Sequence, residues 1–130
     1  RGYYAIIKGS PLEEKGIIKS YLHKSKTNEM YSGHRTKTGK FAETHYKVTK
    51  KGEIYSLVDI NILTGRKNQI RVHLKDLGHP IVGDKKYDCE RSPIKRLCLH
   101  AYELKVKHPI NGKTLNFKAN MPKEFNQLLK

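Results

Sequence analysis

The chain has 130 residues, which is enough for one compact domain and too few for two. Its 27 lysines and arginines against 12 acidic residues give a formal net charge of +15, and such a field attracts polyanions. No apolar run approaches the ~20 residues of a membrane span and no secretory signal pattern is present, so we expect a soluble cytoplasmic protein whose partner is nucleic acid rather than a membrane.

The first third of the chain combines short strands with a polar segment. Residues 3–7 are rich in strand-forming side chains and end at Gly9, and residues 16–22 form a second such run. Residues 23–40 are polar, basic and almost free of apolar side chains. We predict a surface loop for 23–40, either without function or following the phosphates of a nucleic acid.

Clearer periodicities follow in the middle of the chain. Residues 42–49 and 54–63 alternate apolar with polar side chains around a turn at Lys51 and Gly52, which predicts an antiparallel hairpin with one wet face. Residues 67–77 have apolar side chains at helical spacing, and Gly78 predicts the end of that helix.

The sequence of the last third of the chain predicts two further strands and a short helix. The strands are expected at 97–106 and 114–119, joined by a turn at 108–112, and Pro122 is expected to open a helix at 123–129. Hairpins without βαβ units indicate an α+β fold. We therefore predict one domain, residues 1–130, with an antiparallel or mixed β-sheet and a few helices.

Cysteines and histidines offer weaker patterns. Cys89 and Cys98 are too far apart for a CxxC motif, so we expect reduced thiols and no metal site. The seven histidines would suit a general acid–base ribonuclease. The following five are scattered without fixed spacing, and we expect surface or structural roles for most of them: His45, His73, His79, His100 and His108.

Residues 64–74 hold the densest set of functional side chains. A strand ends, Gly65 permits a tight turn, and a helix is predicted to start among Arg66, Lys67 and Arg71. Cations there oppose the helix dipole, whereas a helix start with guanidinium groups suits a phosphate or carboxylate. The alternative is an ordinary surface helix. Arg71 lies at the edge of the buried stripe, where we expect it to need a carboxylate partner.

The same region carries a family resemblance. Residues 63–87 read LTGRKNQIRVHLKDLGHPIVGDKKY, which closely resembles the TGRxxQIRxHL…GHPIxGDxxY signature of the RluA-type RNA pseudouridine synthases. Residues 3–9 resemble the family's Tyr-x-Ala-x-x-x-Gly strand, and segments 42–46, 99–101, 108–109 and Pro122 also match. The resemblance spans nearly the whole chain.

The resemblance implies an activity and roles for single residues. Such enzymes detach uracil from its ribose, rotate it and rejoin it through carbon 5, without metal or organic cofactor. It implies that Tyr3 stacks on the extruded base and that Arg71 pairs with the catalytic aspartate. Structured RNA, either rRNA or tRNA, is the expected partner of a monomeric protein. Five residues are expected to bind the substrate: Thr64, Arg66, Lys67, Gln69 and Ile70.

The sequence departs from the family pattern in two ways. The family's catalytic aspartate lies upstream of the tyrosine strand in an Arg-Leu-Asp motif, and no such triplet occurs here. Asn68 stands where the family commonly has histidine. The nucleophile is assigned to none of the aspartates present, which are Asp59, Asp76, Asp84 and Asp88.

These departures leave three hypotheses. The chain is expected to be the C-terminal portion of a pseudouridine synthase catalytic domain, inactive by itself. The alternatives are a noncatalytic RNA-binding module derived from that fold and an unrelated basic ribosome-associated protein.

Overall fold

One antiparallel sheet of seven strands organises the chain. The computed structural model describes residues 1–88, 96–107, 110–118 and 120–129. The strands are β1 (Gly2–Lys8), β2 (Lys15–Lys24), β3 (Met30–Gly33), β4 (Lys40–Lys51), β5 (Tyr55–Ile62), β6 (Leu99–Lys107) and β7 (Thr114–Lys118). The helices are α1 (Gln69–Asp76) and α2 (Lys123–Leu128). The strand order is β3-β2-β4-β5-β1-β6-β7, with every neighbouring pair antiparallel.

The two faces of the sheet differ in burial. On one face, Ala5, Val58 and Ile60 are fully buried and form one apolar cluster with Ile70 and Leu74 of α1. This alternation arises because successive side chains of a strand point to opposite faces. Tyr4, His45, Lys47, Asp59 and Asn61 lie on the opposite face, and each is half-buried or exposed. Leu57 lies on that face as well and is buried, so the predicted wet face is confirmed for the part of the hairpin around Lys47, Asp59 and Asn61.

Most of the predicted elements are confirmed. The runs at 3–7 and 16–22 lie within β1 and β2, and the hairpin is β4 with β5. The sheet is antiparallel rather than mixed. Helix α1 starts at Gln69, two residues later than predicted, because Asn68 has a positive φ of 56° that no helical residue adopts. Gly78 ends the helix region with a φ of 91°.

The prediction of a loop over residues 23–40 is wrong in part. Strand β2 continues to Lys24, turns through residues 25–29, and returns as β3. An edge strand is held by backbone hydrogen bonds and needs no continuous apolar pattern. The side-chain contribution there is modest: His23 stacks on Tyr31 with ring centroids 5.5 Å apart. Between β3 and β4, residues 34–39 lie outside the strands, and for these residues the predicted loop is correct.

Several predictions concern residues outside the described ranges. They include Cys89, the start of the 108–112 turn at His108 and Pro109, and Ala119. Cys98 is a free, buried thiol whose pKa burial raises to about 11. None of the helices in the described part of the chain combines the length and apolar character needed to cross a membrane.

Candidate functional site

A pocket of about 190 Å³ lies between the start of β1 and the start of α1. It is lined by Arg1, Tyr3, Ile62, Gly65, Arg66, Asn68, Gln69, Ile70, Arg71 and Leu99. The fold brings these residues together because Tyr3 pairs with Ile60 on β5, two residues from the strand's end. The chain then turns directly into α1. The pocket therefore joins an aromatic ring from a central strand to the cationic turn before a helix.

Gln69 holds the turn in front of α1. Its Oε1 accepts hydrogen bonds from the Thr64 hydroxyl at 2.7 Å and from the Arg66 backbone N–H at 3.1 Å. Its Nε2 donates to the Glu43 carbonyl at 3.0 Å and to Thr44 Oγ1 at 2.9 Å. Gln69 is only 2% exposed. Because its whole amide is committed to the protein, it shapes the pocket wall and has little capacity left for a ligand.

Arg71 is fixed by a two-pronged ion pair with Asp84. Its Nε donates to Oδ2 at 3.0 Å and its Nη2 donates to Oδ1 at 2.7 Å, the fork geometry that suits a carboxylate. The hydrogen bond to Asp84 raises the pKa of Arg71 above its ordinary value. The Tyr87 ring lies 5.1 Å from the guanidinium carbon. The expected carboxylate partner of Arg71 is therefore present, and it is Asp84.

The free edge of Arg71 completes the chemistry of the pocket. Its side chain is 23% exposed, whereas the Asp84 side chain is fully buried. Within the described ranges the Asp84 bonds use Nε and Nη2 and do not use Nη1, and the Arg71 side chain lines the pocket. Tyr3 and Ile70 supply a flat ring and an aliphatic wall. This combination can hold a planar apolar surface beside an anion.

A second cavity, the basic groove, adjoins the pocket. It has a volume of about 390 Å³ and shares Gly65 and Arg66 with the pocket. Its lining is Leu22, Lys24, Met30, Thr38, Lys40, Gly65, Arg66 and Lys67. The Arg66 side chain is held along the groove by a hydrogen bond from Nε to the Phe41 carbonyl at 2.9 Å. Four cations over an apolar floor form a surface suited to a polyanion that carries flat rings.

The structure divides the predicted site residues into three groups. Tyr3, Ile70, Arg71, Arg66 and Gln69 line the pocket together. Lys67 lines the basic groove instead. Thr64 lines neither cavity; its hydroxyl accepts from the Glu43 N–H at 2.9 Å and donates to Gln69, which makes it part of the turn.

The histidines do not converge on a common site in the described part of the chain. His45 lies 2.6 Å from Glu43, His79 Nδ1 contacts the Lys8 carbonyl at 2.9 Å, and His73 is buried beneath α1. His108 lies outside the described residues. Among those residues, no three His, Cys, Asp or Glu side chains are grouped to hold a metal ion. The arrangement gives no support to a histidine-based ribonuclease.

Sequence reasoning missed two features of the site. The sequence analysis assigns no role to Asp84, although this residue follows Arg71 by 13 positions in the same motif and is the carboxylate that orients it. Lys24 and Lys40 were seen only as members of a basic segment. The pairing of β2 with β4, in which Leu22 lies opposite Lys40, brings them to one groove. The available signal for Asp84 was that one motif contains both Arg71, which needs a carboxylate partner, and this acidic residue.

Comparisons with known proteins agree with this geometry. A family model described as RNA pseudouridylate synthase matches residues 1–76. An uncharacterized RNA pseudouridine synthase of Synechocystis sp. is 35% identical over 134 residues, covering 99% of this chain and 41% of that protein. The ribosomal large subunit pseudouridine synthase C of Haemophilus influenzae is 34% identical over 140 residues, covering 99% and 42%.

A solved structure supports the same assignment. Human RNA pseudouridylate synthase domain containing 1 superposes with a TM-score of 0.80 at 28% identity, covering 93% of this chain and 54% of that one. The chain thus spans about two-fifths of the length of these curated relatives. The family model matches more than half of the chain and includes Tyr3 and Arg71. The chain therefore belongs to the RluA-type RNA pseudouridylate synthase family.

Proposed function

We propose that the chain is the part of an RNA pseudouridine synthase that holds the target uridine and the neighbouring RNA backbone. In the reaction, the bond between N1 of uracil and C1′ of ribose breaks, and a bond from C5 to C1′ forms. The hydrogen on C5 leaves and N1 gains a proton, so the product is an isomer of the substrate. The observation that carries the proposal is the joining of Tyr3, Ile70 and Arg71 around one pocket.

The pocket suits a single flipped base. An enzyme that acts on a base must first take it out of the stack, which costs a few kcal/mol. Stacking on an aromatic side chain restores about 1–3 kcal/mol per base. Tyr3 provides that ring, and the nearly buried Ile70, which is 6% exposed, adds an aliphatic side chain to the same pocket.

Arg71 is proposed to pair with the nucleophilic aspartate. Asp84 holds the guanidinium by Nε and Nη2, and this bond leaves Nη1 as a donor for a second carboxylate. A cation within a few ångströms favours the ionised form of a carboxylate and lowers its pKa. Asp84 is thus a positioning residue, because it touches the guanidinium and two backbone N–H groups rather than the pocket.

The nucleophile is proposed to come from outside residues 1–130. No Arg-Leu-Asp triplet occurs in the sequence. None of the four aspartates lines the pocket. Asp84, which contacts the pocket residue Arg71, is buried in its ion pair with that residue. The proposal is that these residues form the C-terminal portion of the catalytic domain. The same observation favours the second candidate, a noncatalytic RNA-binding module that keeps the base pocket without the chemistry.

The basic groove is proposed to bind the RNA backbone beside the flipped nucleotide. It shares Gly65 and Arg66 with the pocket, so a strand that leaves one cavity enters the other. The name of the Haemophilus relative, a large-subunit ribosomal enzyme, favours rRNA over tRNA as the substrate. We further propose that the protein acts as a cytoplasmic monomer, free of metal and away from membranes.

The test is tritium release from ribosomal RNA transcribed with uridine labelled at C5. The complete product of the gene that encodes this chain should release tritium, and Arg71→Ala should lower the single-turnover rate by at least 100-fold, since about 3 kcal/mol is lost with one member of a buried pair. Arg35→Ala, at an exposed arginine that lines neither cavity, is the matched control and should keep the rate. RNA binding without any tritium release would favour the noncatalytic module.

A further inference from the structure

A line of buried hydrogen bonds leads from the pocket wall into the core. Gln69 Nε2 donates to Thr44 Oγ1 at 2.9 Å, and Thr44 Oγ1 lies 2.7 Å from Nδ1 of His73. Thr44 and His73 are both 0% exposed. These three side chains connect the turn before α1 to the space between α1 and β4.

The line continues on the other side of the imidazole ring. His73 Nε2 lies 2.8 Å from Ser20 Oγ on β2. Ser20 Oγ lies 3.1 Å from Ser32 Oγ on β3, and Ser32 in turn donates a short hydrogen bond to the Asp76 carboxylate at the end of α1. The line therefore ends on an ionised group that only accepts hydrogen bonds.

Two backbone groups at the pocket end set the direction of the line. The Glu43 carbonyl can only accept and the Arg66 N–H can only donate, so the Gln69 NH₂ group faces Glu43 and Thr44. Thr44 Oγ1 accepts from Gln69 and gives its own hydrogen to Nδ1 of His73. A neutral His73 with Nδ1 as an acceptor carries its proton on Nε2, which then donates to Ser20 Oγ.

The amide of Gln69 joins this line to the turn. Its Nε2 donates to Thr44 Oγ1, while its Oε1 accepts from the Thr64 hydroxyl and the Arg66 N–H. The imidazole and the pocket turn are thus linked through the two ends of one amide.

We propose that neutral His73 is a positioning residue for the pocket: by accepting the hydrogen of Thr44 it keeps Thr44 in place as an acceptor for the amide of Gln69, and through that amide it supports the turn that carries Gly65 and Arg66. The inference rests on the proposed function only for the identity of the ligand in the pocket. The linked side chains themselves are independent of it.

Protonation of His73 removes the acceptor at Nδ1. Nδ1 would become a donor toward Thr44, and the hydrogen of the buried Thr44 hydroxyl would lose its partner. An unpaired buried hydroxyl hydrogen is costly, so the Thr44 side chain would shift away from its contact with Gln69. The wall shared by the pocket and the basic groove would then loosen.

The surroundings of His73 keep the ring neutral. Burial lowers the pKa of His73, and Asp76 on α1 opposes that shift as the charged group that acts on the ring. The strands packed against it present hydroxyls rather than charges, from Ser20 on β2, Ser32 on β3 and Thr44 on β4. Burial therefore favours the neutral ring, and the hydrogen-bond geometry favours the tautomer with the proton on Nε2.

Nuclear magnetic resonance of the ¹⁵N-labelled 130-residue chain tests the link directly. At pH 7.5, the His73 ring should carry its proton on Nε2. On acidification, the Arg66 N–H and the Gln69 side-chain amide should shift with the same midpoint pH as the His73 ring. A proton on Nδ1 at pH 7.5, or a His73 titration that leaves Arg66 and Gln69 unmoved, would overturn the proposal without any variant.

A pair of threonine variants separates positioning from simple packing. Thr44→Val preserves shape but removes the linking hydroxyl, so Arg66 should no longer follow the titration of His73. Thr49→Val, on the same strand, removes a hydroxyl whose one bond within the described part of the chain is to the Leu57 carbonyl at 3.3 Å, and it should keep the coupling. Coupling that survives Thr44→Val would refute the route through Thr44.

The kinetic consequence is measured on the complete gene product. Thr44→Val should lower kcat roughly five- to tenfold at pH 7.5, the change expected when a buried hydrogen bond loses one partner, and Thr49→Val should not. An unchanged kcat in Thr44→Val would overturn the positioning role. Absence of pseudouridine formation in every form would refute the proposed function, whereas coupled shifts in the labelled chain would still support the link from His73 to the turn.

Discussion

The ion pair between Arg71 and Asp84 makes a quantitative prediction about stability. The Asp84 side chain is fully buried and that of Arg71 is 23% exposed. Removing one partner of a buried pair typically lowers the free energy of unfolding by ~3–5 kcal/mol. Asp84 keeps hydrogen bonds from the backbone N–H groups of Lys86 at 3.2 Å and Tyr87 at 3.1 Å. We therefore expect Arg71→Gln to lie near the lower end, at about 3 kcal/mol.

A double-mutant cycle isolates the pair from the packing around it. Urea unfolding of the 130-residue chain at pH 7 should give a coupling of about 2 kcal/mol between Arg71→Gln and Asp84→Asn, within the range measured for side chains in direct contact. Arg96→Gln is the control, because its pair with Glu124 is 3.4 Å long and about half exposed, and such pairs contribute about 0–1 kcal/mol. If the effects of Arg71→Gln and Asp84→Asn on the free energy of unfolding were additive within ~0.5 kcal/mol, Asp84 would not be the anchor of Arg71.

Four further predictions follow from the site. Tyr3→Phe should retain most of the single-turnover rate of the complete gene product and Tyr3→Leu should lose it, because stacking needs the ring; equal damage by both would give the hydroxyl a chemical role. Burial lowers the pKa of His73. Between that lowered pKa and about pH 6.5, only the unfolded chain binds the proton, so the free energy of unfolding should decrease as the pH is lowered, by at most ~1.4 kcal/mol per pH unit. Urea midpoints of the wild type and His73→Asn should converge on acidification, and a constant gap would contradict this. The isolated chain should make no pseudouridine from any RNA, and turnover by it would refute an external nucleophile. The isolated chain should still bind structured RNA, and the logarithm of its affinity should fall linearly with the logarithm of the salt concentration. Lys24→Ala or Lys67→Ala should lower the magnitude of that slope by roughly 0.7–0.9, whereas Lys123→Ala, on α2 and away from the groove, should not. Equal slopes for all three variants would remove the groove from the RNA-binding surface.

The central hairpin and α1 could be predicted from sequence because each has one buried side. In β4 and β5 the alternation of apolar and polar residues follows directly from the pleat, and Val58 and Ile60 are fully buried as expected. Strand β3 could not be predicted in the same way. It lies at the sheet edge, where backbone pairing with β2 replaces an apolar pattern, and its polar composition was typical of a loop.

The candidate site was only partly readable from sequence. The motif resemblance identified Tyr3, Ile70 and Arg71, which do line one pocket. The roles of Asp84 and Gln69 depend on tertiary structure. Asp84 reaches Arg71 because the chain after α1 folds back against β1, where the Val82 N–H donates to the Ile6 carbonyl at 2.9 Å. No periodicity within a single element encodes that return.

The hydrogen-bond line through His73 shows the same dependence on tertiary structure. Its members come from four elements, with Ser20 and Thr44 separated from His73 by 53 and 29 positions. Sequence reasoning could assign the histidine a structural role because it lies in the buried stretch of α1. Its connection to the pocket turn exists only once β2, β3 and β4 are packed against the helix.

Photocrosslinking is the most direct test of the claim that the target uridine enters the pocket between Tyr3 and Arg71. RNA carrying 4-thiouridine at the modified position would be irradiated with the complete gene product, and the crosslinked peptide would be identified by mass spectrometry. We expect crosslinks within β1 at Tyr3 or within α1 at Ile70 and Arg71. Crosslinks confined to the opposite face of the sheet, at His45, Lys47 or Asn61, would contradict it.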